Sequence, residues 1–69
     1  MGPEMKLLDV VALTEDLSEH DLQRGQVGTI VEVLGPDAFT VEFVDNNGRT
    51  YATLSLRADQ LMVLHHQSA

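Results

Sequence analysis

Glu15, Asp16, Glu19, His20 and Asp21 put four carboxylates and one imidazole within a stretch of seven residues. Such a group invites comparison with a divalent-cation site. Its spacing lacks the alternating oxygen ligands of an EF-hand loop, and no glycine supplies the sharp turn that loop uses. A zinc site would need two separated clusters of His or Cys, and the chain has no cysteine. His65 and His66 are adjacent, so on a strand they would point to opposite faces. The acidic stretch therefore reads as a solvated loop. If it has a role, it is as an electrostatic patch for a basic partner. No metal and no cofactor is expected.

Covalent chemistry finds little support. Ser18, Ser55 and Ser68 lie in no Gly-x-Ser-x-Gly elbow. Glu32 and Glu42 could face each other on neighbouring strands, but exposed outer-face positions are not the setting that an acid–base pair requires. Gly25-x-x-Gly28 lacks the rest of a phosphate-cradling fingerprint. A non-enzyme is expected, with no catalytic residues.

The charge balance narrows the partners. Eleven acids against four bases give a formal net charge of −7. Nucleic-acid binders present a basic footprint, whereas Lys6, Arg24, Arg49 and Arg57 are scattered. The field favours cationic partners and disfavours nucleic acid and anionic lipid. Residues 5–13 are too short, and too charged at Lys6 and Asp9, for a signal peptide. No stretch approaches the ~20 apolar residues of a membrane span. A cytoplasmic setting is the expectation.

The elements that must position these residues begin with one hairpin, residues 39–56 (FTVEFVDNNGRTYATLSL). A two-residue turn at Asn47 and Gly48 would pair Phe43 with Ala52, Val41 with Leu54 and Phe39 with Leu56, all on one apolar face. The other face would pair Glu42 with Thr53, Thr40 with Ser55 and Val44 with Tyr51. A slip of one residue would destroy this sorting. Val44 and Tyr51 then form an exposed contact patch, because tyrosine offers area at low entropic cost.

Residues 7–13 (LLDVVAL) read as a first strand, and residues 14–24 as a long polar loop with at most a turn of helix at Ser18. Leu17 and Leu22 would pin that loop to the core. Gly25 and Gly28 punctuate the start of a strand over residues 27–34. Val27, Val31 and Val33 share one parity there, and Ile30 and Leu34 the other, which predicts a strongly bent strand. Gly35, Pro36 and Asp37 form a turn. Residues 57–60 read as one helical or 3₁₀ turn and residues 61–64 as a short last strand. Residues 1–4 read as a leader and 65–69 as a frayed tail. The prediction is all-β: a single small five-stranded SH3-like barrel, ordered over about residues 6–64, with one long loop after strand 1 and a 3₁₀ turn before the last strand. Only three aromatics exist, Phe39, Phe43 and Tyr51. With both phenylalanines inward, no proline-peptide groove or base-stacking platform can form.

The segment GQVGTIVEV, residues 25–33, resembles the glycine-punctuated strand of KOW and other SH3-like modules. Together with residues 9–13 (DVVAL), 41–45 (VEFVD), 48–50 (GRT) and 56–61 (LRADQL), the chain resembles an uncharacterised bacterial family of short stand-alone proteins that carries only a domain-of-unknown-function label. The resemblance spans roughly residues 6–64. It implies an SH3-like barrel and no activity, catalytic residue or cofactor.

The functional expectation is a non-enzymatic protein–protein interaction module: an antitoxin, immunity or accessory protein for a basic partner. Its contact residues would be Glu15, Asp16, Glu19, Asp21, Val44 and Tyr51. A chain this short buries only about 60% of its unfolded surface, so a partner or a second copy, as a homodimer, would add stability. The alternatives are a KOW-like nucleic-acid or ribosome-associated module and a small non-catalytic subunit of an enzyme.

Overall fold

A computed structural model describes residues 5–45 and 47–64. The expected leader at residues 1–4, the tail with His65 and His66, and Asn46 lie outside them. The chain is all-β, with strands β1 (Val10–Leu13), β2 (Val27–Val33), β3 (Ala38–Val44), β4 (Thr50–Arg57) and β5 (Leu61–Val63). Two lone 3₁₀ turns, Ser18–His20 and Ala58–Gln60, complete the described elements. All pairings are antiparallel, in the order β4-β3-β2-β1-β5.

That order leaves β4 and β5 as edges, so the hydrogen-bonded closure of a barrel is not formed. The sheet must nevertheless curl. Its edge strands would stand about 19 Å apart if flat, at about 4.8 Å per step. The link from Arg57 to Leu61 through the second 3₁₀ turn covers at most about 14 Å even at full extension. Curling encloses one face, where Val11, Leu13, Leu22, Ile30, Phe39, Val41, Phe43, Leu56 and Leu61 form the core.

The hairpin register holds over five of the six expected pairs: Phe39↔Leu56, Thr40↔Ser55, Val41↔Leu54, Glu42↔Thr53 and Phe43↔Ala52. The sixth is corrected. Val44 pairs with Thr50, and Tyr51 is the extra residue of a β-bulge. The cause is local. Asp45 Oδ1 accepts hydrogen bonds from Asn47 N–H (2.9 Å) and Arg49 N–H (3.0 Å), while Gly48 N–H donates to the Asp45 carbonyl at 3.0 Å. An Asx turn thus replaces the two-residue turn, with Gly48 at φ +80°. A β-branched residue resists that conformation.

β2 carries a second bulge, which explains its mixed parity. Gly28 and Ile30 face the core opposite Phe43 and Val41. The register shifts between Ile30 and Glu32, so that Val33 stands opposite the core residue Phe39. Gly28 is required by close approach: a Cβ there would lie 2.8 Å from Val41 Cγ1 and 2.9 Å from both the Glu42 carbonyl oxygen and Phe43 Cδ1. β1 is shorter than expected. Lys6 N–H donates to Asp9 Oδ2 and Asp9 N–H to the Lys6 carbonyl, so residues 6–9 turn, with Leu8 at φ 73°.

Candidate functional site: an acidic cleft beside an edge strand

The loop of residues 14–26 is held at several points. Leu22 is 1% exposed and anchors it in the core. Leu17 and Leu22 exchange backbone hydrogen bonds at 2.9 and 3.2 Å, closing a small loop around the 3₁₀ turn Ser18–His20. Asp21 ends that turn in a left-handed conformation, φ 59°. Asp16 Oδ1 accepts from Arg24 N–H at 2.8 Å. The two pinning leucines were legible in the sequence because they interrupt an otherwise polar run.

Two side chains from the far end of the chain clasp this loop to the sheet. Tyr51 Oη donates to the Asp21 carbonyl at 3.0 Å. Gln60 Nε2 donates to Glu15 Oε2 at 3.2 Å, and Gln60 Oε1 accepts from Arg57 N–H at 2.9 Å. Gln60 is 9% exposed, the buried polar residue among a buried set that is otherwise apolar. Both ends of its amide are satisfied, which makes its burial tolerable.

Between loop and sheet lies a cleft of about 470 Å³. Glu15, Asp16, Glu19 and His20 line one wall; Ser55, Leu56, Arg57 and Gln60 line the other. The acids are exposed. The ion pair among the described residues joins Arg57 Nε to Asp59 Oδ1 at 3.0 Å, so it involves none of the three cleft carboxylates. Among the described residues no three His, Asp or Glu side chains converge to hold a metal ion. Ser55 and His20 both line the cleft, from opposite walls.

The six expected contact residues separate. Glu15, Asp16 and Glu19 come together in the cleft. Asp21 and Tyr51 are joined to each other through the Asp21 backbone rather than its carboxylate. Val44 stands apart, opposite Thr50, and does not line the cleft. Glu32 and Glu42, weighed as a facing pair, are not cross-strand partners: Glu32 faces Thr40, and Glu42 faces Thr29 and Thr53. Thr40 Oγ1 donates to Glu32 at 3.4 Å, and Thr50 Oγ1 to Glu42 at 3.1 Å. Ser55, Arg57 and Gln60 were not anticipated. The available signal was the Arg57-x-x-Gln60 spacing, since a Gln three residues into a helical turn often reaches back to the preceding N–H.

No curated protein and no solved structure matches the chain. A family model does match, over residues 7–63, which takes in all five strands, the clasped loop and the second 3₁₀ turn. The chain belongs to the family described as Domain of unknown function (DUF4926).

Proposed function

We propose that this protein is a non-enzymatic protein–protein interaction module that receives a basic partner at the acidic cleft. The observation that carries the reading is the set of three exposed carboxylates, Glu15, Asp16 and Glu19, which form no ion pair among the described residues and lie along one wall of a cleft. A chain of net charge −7 adds a long-range field of the same sign. We read the strand order, with its long first loop, irregular β2 and 3₁₀ turn before β5, as an open variant of the SH3-like plan. An antitoxin, immunity or accessory role in the bacterial cytoplasm is the concrete form of the proposal. Among the described residues no helix is long and apolar enough to cross a membrane.

The test is affinity capture from native lysate with the wild-type chain and with a Glu15→Gln/Glu19→Gln variant. A stoichiometric basic protein held by the first and lost from the second supports the reading. A partner retained equally by both would remove the cleft from it. RNA and DNA titrations at low salt address the KOW-like alternative, and the charge balance predicts no binding.

A further inference from the structure

We infer that the free edge of β4 takes an extended cationic segment of a protein partner as an added strand. The inference rests on the acidic-cleft reading and specifies its binding mode. The phase of the β3–β4 ladder carries it. Ala58 N–H donates to the Asp37 carbonyl at 2.8 Å. Antiparallel pairs alternate between those that exchange backbone bonds and those that do not. Counting from Asp37 and Ala58, the exchanging pairs are Phe39–Leu56, Val41–Leu54 and Phe43–Ala52. Thr53 and Ser55 then direct their N–H and C=O groups away from β3.

Nothing among the described residues receives those groups. β4 is the end of the sheet, Thr53 and Ser55 are exposed, and neither backbone is bonded outside the ladder. Arg57 comes next in the same phase, and its N–H is taken by Gln60 Oε1, which marks where the open row stops. Unpaired edges are ones that proteins generally cover, shorten or charge, because they pair readily with another chain.

Ser55 and Arg57 also line the cleft, so the open row and the carboxylates share one space. An added strand presents alternate side chains to one side. On the loop side these meet Glu15, Asp16 and Glu19, which selects lysine or arginine at every second position. Main-chain bonds supply affinity, and the alternate side chains supply selectivity.

The probe is a labelled decapeptide of alternating lysine and threonine, followed by fluorescence anisotropy with the full chain at low salt. Its fully N-methylated counterpart keeps the charge and loses the backbone donors. Ser55→Pro removes an outward N–H that β3 does not use, and edge strands tolerate proline. The parent peptide should bind. N-methylation and Ser55→Pro should each weaken binding about tenfold or more, with the variant's melting temperature near wild type. If the N-methylated peptide binds as well as its parent, strand addition is overturned and the acidic-cleft reading stands. That comparison uses the unaltered protein, so it decides even if Ser55→Pro unfolds. If neither peptide binds, both readings fall. A dimer in sedimentation that Ser55→Pro dissociates would give the edge to a second copy and overturn the proposal.

Discussion

The Tyr51 hydroxyl donates a 3.0 Å hydrogen bond to the backbone carbonyl of Asp21, thirty positions away in the chain. This one contact ties the hairpin to the acidic loop. It exists because the bulge places Tyr51 outside the strict alternation of β4. Tyr51→Phe should keep the ring and lose the bond. The expected cost is small, about 0.5–1.5 kcal/mol. Amide hydrogen exchange should quicken at Asp21 and Leu22 and stay unchanged in β3. Unaltered exchange in the loop would show that the clasp holds nothing.

Gln60 makes the second clasp, and its two bonds can be separated. Gln60→Ala leaves Arg57 N–H and Glu15 without their partner and should cost about 1–3 kcal/mol. Glu15→Gln keeps an acceptor for Gln60 Nε2 and should change the melting temperature little. Chemical denaturation of the two variants gives the comparison. Equal losses would place the energy in the charge of Glu15 rather than in the buried amide.

Gly28→Ala adds a methyl where three atoms of β3 stand within 2.9 Å. Two of the three neighbours belong to side chains buried in the core and one is backbone, so relief requires the β2–β3 ladder to shift. Overpacking of this kind costs about 1–3 kcal/mol. A wild-type melting temperature would mean that β2 and β3 separate more easily than their register implies.

Phe43 is fully buried and pairs with both Gly28 and Ala52. Phe43→Ala should cost about 3–5 kcal/mol, a large part of the stability available to a domain this small. Circular dichroism should show a chain largely unfolded at 37 °C. A cooperative transition near the wild-type temperature would contradict the central place given to this ring.

Much of the fold was legible because strand alternation is strict. Phe39, Val41 and Phe43 could be sorted from Thr40 and Glu42 by parity alone, and Leu56 and Leu54 fell into place opposite them. The register failed at Val44 and Tyr51 because the Asp45 carboxylate captures two backbone N–H groups and reshapes the turn. Such capture competes with the ladder over a few residues and leaves no periodic trace. The mixed parity of β2 did signal an irregularity, and the position of its register shift between Ile30 and Glu32 came from the pairing with β3.

By itself, the sequence determined the strand count, the inward set of the hairpin, the absence of cysteine chemistry and the acidity of the first loop. These follow from residue type and from periods of two, which are local properties. Only the tertiary structure decided that Glu15, Asp16 and Glu19 face Ser55 and Arg57 across a cleft, that Gln60 is buried, and that Tyr51 grips Asp21. Those relations join residues 30 to 45 positions apart. They arise because the short link between β4 and β5 forces the sheet to curl, which brings its edge against a loop pinned by Leu22.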